Sequence, residues 1–181
     1  MLTAYSNSQS NQHWRMQPLY IRYCSHADIP IISDLAYLIW PETYKNILSA
    51  EQMQYMLDLF YSHSALKNQM DTQKHTFLIA EIENHPAGFA SFSMINEHGT
   101  YKLQKLYVLQ SLHGKGIGKS VLDFIVKEIR SQNGTALQLN VNRNNKARSF
   151  YEREGFCVIK EEDIDIGNDY FMNDYLMEKK I

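Results

Sequence analysis

Between Leu112 and Ser120 the chain reads LHGKGIGKS, three glycines and two lysines within nine residues. A glycine-rich helix start suits an anion: its backbone N–H groups are unpaired, the helix dipole is positive there, and missing side chains let a phosphate approach closely. Two nucleotide signatures share parts of this pattern. A Walker A loop needs a glycine five places before Gly118, where the chain has His113. A dinucleotide fingerprint, G-x-G-x-x-G, begins at Gly114 and Gly116 but meets Lys119 where its third glycine belongs. What remains is x-x-x-G-x-G. In that spacing Gly114, Gly116, Ile117, Gly118 and Lys119 offer amides, and the Lys115 and Lys119 side chains are point charges for further phosphates.

The flanking elements decide which anion. LYIRYC (19–24) alternates as a strand, and Ile31, Leu35, Leu38 and Ile39 recur at helical spacing from Ala27 to Trp40, where Pro41 is expected to interrupt. A second helix runs from the N-cap Ser49 to about Tyr61, with Met53, Met56, Leu57 and Phe60 on one side. TFLIAEI, AGFASFSMI and YKLQKLYV follow as three strands, and connectors as short as ENHP and NEHG imply an antiparallel meander. After the glycine loop come a helix to about Gln132, a strand ALQLNV parallel to its predecessor, a short helix around KARSFYERE, a strand FCVIKEE and a last strand YFMNDYLMEKK. A P-loop protein instead repeats βαβ units in a parallel sheet, so this order speaks against nucleoside triphosphate hydrolysis.

Meander, glycine loop, helix, strand and NNKARSFYEREGF together resemble the GCN5-related N-acetyltransferase (GNAT) superfamily over roughly residues 19–179. HGKGIG (113–118) matches that family's Q/R-x-x-G-x-G/A except at His113, and Asn144, Ala147, Phe150, Tyr151, Gly155 and Phe156 match its N-x-x-A-x-x-F-Y-x-x-x-G-F. A softer resemblance, through WPETY and YFMNDYLMEK, is to bacterial spermidine and spermine acetyltransferases. The resemblance implies an α/β (α+β) fold: a mixed, largely antiparallel sheet flanked by helices, with central strands splayed to hold acetyl-CoA. It implies that pantetheine pairs with the backbone of Leu106, Tyr107 and Val108, and that the Leu106 amide polarises the thioester carbonyl. It further implies that Asn144 serves the cofactor, besides fitting a helix N-cap, and that Tyr151 is the acid that protonates the departing thiolate. His113 keeps one hydrogen bond where Arg would offer a fork.

An amine acceptor must shed a proton before it attacks. Many members of the family place Glu or His on the strand that enters the glycine loop, whereas this chain has Lys102 and Gln104 there. Glu42 is an alternative base, its bland reading being a solvated loop carboxylate. Trp40, Tyr44, Tyr107, Tyr170 and Tyr175 are candidate aromatic walls for a cationic acceptor, and Asp169, Asp174 and Glu42 its candidate counter-charges. Substrate contacts are expected from Trp40, Glu42, Tyr44 and Gln104.

The chain has 181 residues, 44% hydrophobic, with a formal charge of −2. That fits one acetyltransferase domain over 19–181, preceded by an arm (1–18) that is disordered or loosely docked through Trp14. Spread basic residues give no footprint for nucleic acid, and no apolar run is long enough for a membrane span. Two isolated cysteines, Cys24 and Cys157, and scattered histidines frame neither disulfides nor a metal site, so the expected location is cytoplasmic. The expectation is therefore direct transfer of acetyl from acetyl-CoA to a small primary amine, polyamines first, by a monomer or homodimer. The alternatives are a peptide, protein or antibiotic amine, or a non-catalytic acyl-CoA sensor.

Overall fold

The computed structural model describes residues 18–181, so Trp14 and all of the proposed arm but Pro18 lie outside the described residues. Seven strands, β1 (Leu19–Tyr23), β2 (Thr76–Ile82), β3 (His85–Met94), β4 (Thr100–Val108), β5 (Ala136–Asn142), β6 (Cys157–Gly167) and β7 (Tyr170–Lys180), form one sheet in the order β1-β2-β3-β4-β5-β7-β6. Among the described strands only β4 and β5 pair in parallel. Helices α1 (Ile29–Tyr44), α2 (Ala50–Tyr61) and α3 (His63–Asp71) precede β2, α4 (Ile117–Ser131) joins β4 to β5, and α5 (Ala147–Arg153) joins β5 to β6.

Alternation along the strands builds a core on each face. Phe77, Ile79 and Phe89 pack with α1, α2 and α3 on one side, while Leu78, Ala80, Ala90 and Phe92 pack with α4 and α5 on the other. The β2–β3 hairpin turns at Glu83 and Asn84, both at positive φ (52° and 61°), as a two-residue hairpin loop requires. α4 ends where Asn133 adopts φ 60° and the Gly134 N–H reaches back to the Ile129 carbonyl at 2.9 Å. A Cβ on Gly134 would lie 2.2 Å from Ile129 Cγ2 and 3.1 Å from the Tyr101 ring. Gly134→Ala should therefore destabilise the fold by about 1–3 kcal/mol, read as a lower Tm in thermal melts; an unchanged Tm would refute this packing.

Four sequence expectations need correction. α1 does not stop at Pro41: it begins at Ile29, runs on to Tyr44, and the Lys45 N–H bonds the Pro41 carbonyl at 3.1 Å. Pro41 leaves the carbonyl one turn before it without a helical donor, but burial of Ile39 and Trp40 outweighs that loss. Leu38 does not share their face and stays 62% exposed. α3 was not foreseen; its polar HSALKNQMD carries few apolar markers, and Ser62 caps it by accepting from the Ala65 N–H. Asn144 is not the N-cap of α5, since Lys146 holds that position and the Asn145 side chain accepts from the Ala147 N–H at 2.9 Å. Ser49, by contrast, caps α2 as expected, and β2, β7 and the end of α4 fall where the pattern puts them.

Candidate active site

β4 and β5 are paired only from Thr100↔Ala136 to Leu103↔Leu139, and beyond that they part. The cause sits in β4. Its register against β3 shifts so that Gln104 is an extra residue between Leu103↔Phe92 and Lys105↔Ser91. Such a bulge bends the strand and exchanges its faces: Tyr101 and Leu103 belong to the α4 core before it, Leu106 and Val108 after it. The Leu109 N–H bonds the Ala87 carbonyl at 2.9 Å, and the register Tyr107↔Phe89, Lys105↔Ser91 continues that two-residue period. Tyr107 and Lys105 therefore exchange ladder bonds with β3, and the N–H and C=O of Leu106 and Val108 point into the gap beside β5.

A cleft of about 1440 Å³ runs through this gap, from the glycine loop to the chamber under α1 and α2. At its loop end, Gly114 and Gly116 sit at φ 78° and 79°. Gly116 caps α4, whose first internal bond is Ser120 N–H to Gly116 C=O at 3.0 Å, so the N–H groups of Ile117, Gly118 and Lys119 have no partner within the helix. A Cβ at Gly114 or Gly116 would meet nothing within 4 Å, and at Gly118 only the Phe150 ring and Val108 at ordinary contact. The space over these amides is thus open to an anionic group, and the unpaired edge of β4 continues from it as a template for an extended amide chain. Coenzyme A has both parts, and these residues fit it.

Two side chains of the loop do something other than expected. Lys119 does not reach outward: its ammonium is held by Glu154 at 2.8 Å and Asp123 at 3.2 Å, leaving the exposed Lys115 as the loop's outward cation. His113 Nε2 donates to the Val108 carbonyl at 3.0 Å, fastening the loop to the end of β4 rather than facing the phosphate position. Asn144 is exposed but lines the cleft.

Tyr151 packs edge-on between Phe150 and Phe156, at 5.1 and 5.7 Å, and is 8% exposed. Its hydroxyl has no hydrogen-bond partner among the described residues yet is not among the fully enclosed polar atoms, so it opens to the cleft. Burial first, then the neighbouring Tyr44, holds its pKa above the usual phenol range, which keeps the proton available at neutral pH.

Across the gap, Trp40, Tyr44, Tyr61 and Tyr107 make a continuous aromatic wall: Trp40 lies 4.6 Å from Tyr44 and 5.2 Å from Tyr61, and the Tyr44 and Tyr107 hydroxyls are 3.1 Å apart. Tyr170 and Tyr175 are not part of it. Tyr170 packs at a tilt against Tyr55, and the Arg148 guanidinium lies 4.6 Å from the Tyr175 ring centre. Glu42 is at the rim, exposed and paired with Lys45 at 2.7 Å. Gln104 lines the cleft and donates to Ser93 Oγ at 3.1 Å. Asp169 sits at positive φ in the β6–β7 turn and does not line the cleft.

Sequence reasoning missed Lys105 and His75, which line the same cleft. Lys105 is 8% exposed, with Nζ 5.2 Å from the Tyr61 ring centre and 5.8 Å from that of Phe77, and burial pulls its pKa down to about 7. Burial and then the Lys105 charge lower His75 to about 4. A signal existed: Lys105 alternates with Tyr101, Leu103 and Tyr107, the apolar positions of its strand.

Comparison with known proteins gives the same picture. Residues 44–171 match the family model described as Acetyltransferase (GNAT) domain. The chain is 32% identical over 123 residues to 5-NmdU N-acetyltransferase of Pseudomonas phage PaMx11, covering 67% of this chain and 85% of that one. It is 25% identical over 128 residues to [ribosomal protein bS18]-alanine N-acetyltransferase of Haemophilus influenzae, covering 71% and 81%. The PaiA N-acetyltransferase of Thermoplasma acidophilum, solved with coenzyme A, superposes with a TM-score of 0.77 at 29% identity, covering 91% of this chain and 99% of that one. With the splayed strands, the glycine-capped helix and the matched family model in agreement, the chain belongs to the GNAT family and is an acetyl-CoA-dependent N-acetyltransferase.

Proposed function

We propose that the enzyme transfers acetyl directly to the primary amine of a small molecule that enters as a cation, with polyamines the first class to test. The observation that carries this reading is the aromatic wall of Trp40, Tyr44 and Tyr107 across the gap from the Tyr151 hydroxyl, with the Leu106 backbone, beyond the last β4–β5 pair, between. Acetyl-CoA brings an activated thioester. The Leu106 N–H meets the negative charge that grows on the carbonyl oxygen, as a fixed dipole needing no reorganisation. Tyr151 gives its phenolic proton to the leaving sulfur. Gly114 to Lys119 hold the diphosphate with backbone amides. No acyl-enzyme is involved: Cys157 is exposed on β6, Cys24 is pushed up to about 12 chiefly by burial, and neither lines the cleft.

A peptide amine is the second reading, favoured by the similarity to a ribosomal-protein alanine acetyltransferase. Thiol release with spermidine, an alanine-terminated peptide and 5-NmdU ranks the classes by kcat/KM. Tyr151→Phe should lower kcat about 100-fold while acetyl-CoA still raises Tm as in the wild type. Equal loss of turnover and of thermal protection would remove Tyr151 from the acid role.

A further inference from the structure

Resting on the transferase reading, we propose that Asp174 is the proton acceptor for the incoming amine. Asp174 lies on β7 opposite Asn142 of β5, three residues past the last β4–β5 pair, and so at the mouth of the splay. It is 6% exposed and lines the cleft. No hydrogen bond or ion pair engages it among the described residues, yet its oxygens are not enclosed as Ser91 Oγ and His75 Nδ1 are. A carboxylate in that state is expensive to keep, and a cationic ligand or a proton is what relieves it.

Among the described residues the other two carboxylates of the cleft are committed elsewhere, and His75 Nδ1 is fully enclosed, away from any ligand. Glu42 is tied to Lys45 and Glu154 to Lys119. His113 already donates to Val108, and Lys105 is wedged between aromatic rings. The charged and titratable groups facing Asp174 come from every neighbouring element: Lys102 of β4, Arg143 after β5, Glu162 of β6 and Tyr44 of α1. Arg143 is engaged by Asp163 at 2.5 Å, and Glu162 by Lys160 at 3.0 Å. Asp174 and Tyr151 line the same cleft, and Tyr44 lies within electrostatic reach of each. Burial first, against Lys102 and Arg143, raises Asp174 to about 6, still ionised at neutral pH and closer than an ordinary carboxylate to the pH at which a base works well.

The proton count closes. The ammonium of the acceptor gives one proton to the Asp174 carboxylate, and the freed nitrogen lone pair forms the C–N bond at the thioester carbon. Collapse breaks the C–S bond, and the sulfur takes the Tyr151 proton. The phenolate recovers its proton from the second N–H, and Asp174 releases the first to solvent. One ammonium and one thioester thus yield one amide, one thiol and one proton.

Steady-state rates of wild type and Asp174→Asn between pH 5.5 and 9, with whichever of spermidine, the alanine-terminated peptide and 5-NmdU the wild type uses, test the assignment. The expected result is a kcat about 100-fold lower and loss of the acidic limb near pH 6, with thermal protection by acetyl-CoA unchanged. Because the folded protein holds this carboxyl above its unfolded pKa, its contribution to stability is lost as pH rises through about 6. Asp174→Asn should therefore melt higher than wild type at pH 7.5, which a merely structural carboxylate would not do. A kcat within threefold of wild type, a raised KM with kcat unchanged, or a retained acidic limb overturns the proposal. Should the Asn variant fail to fold, Asp174→Glu must keep turnover and an acidic limb; a folded, inactive Glu variant also overturns it. If wild type binds acetyl-CoA but acetylates none of these amines, the proposed acceptor reading falls first and takes this role with it.

Discussion

Leu106→Pro is expected to lower kcat/KM about 1000-fold while the protein still melts cooperatively. The reasoning is local. Ladder bonds to β3 belong to Tyr107 and Lys105, so a proline at 106 removes no hydrogen bond from the sheet. It deletes only the N–H that faces the gap, and its ring covers the edge along which an extended amide chain would lie. Leu106→Val, which keeps the amide, should retain most of the activity. Turnover by the proline variant above a tenth of wild type would mean that this donor does not stabilise the developing oxyanion.

Lys105→Met should stabilise the protein by on the order of 3 kcal/mol near neutral pH. The wild-type ammonium is buried against Tyr61 and Phe77 with no carboxylate partner among the described residues, and burial pulls it from 10.5 to about 7. The folded state therefore disfavours the charged form. The penalty is absent above the unfolded value, grows as pH falls from about 10, and is complete below about 7. The gain in Tm should follow that course, largest at pH 6 and vanishing toward pH 10.5. Parallel melting of the two proteins across the whole range would show that the lysine is not held at such cost.

Much of the fold was legible because its signals are local. The β2, β3 and β4 runs alternate cleanly between short turns, and α4 buries six apolar residues before Asn133 and Gly134 end it. The motif around Tyr151 put that residue at the cleft on the same grounds. What stayed hidden depends on partners distant in sequence. The bulge at Gln104 has no signature in KLQKLYV and appears only when β3 supplies the register. From sequence, Pro41 reads as a stop; that α1 passes it is decided by where Ile39 and Trp40 are buried. Asp174 was one of several acidic residues until β5 and β6 enclosed it. Tyr170 and Tyr175 show the opposite error, aromatic residues credited to the cleft that serve Tyr55 and Arg148 instead.

β7 is hydrogen-bonded on both sides although it follows both of its neighbours in the chain. During synthesis, then, β5 and β6 emerge first and wait with bare edges that another nascent chain could capture. A ribosome that has delivered the glycine loop and Tyr151 has still to deliver Asp174. A chain stalled at that point presents the helix start and the β4 edge without the carboxylate that β7 contributes.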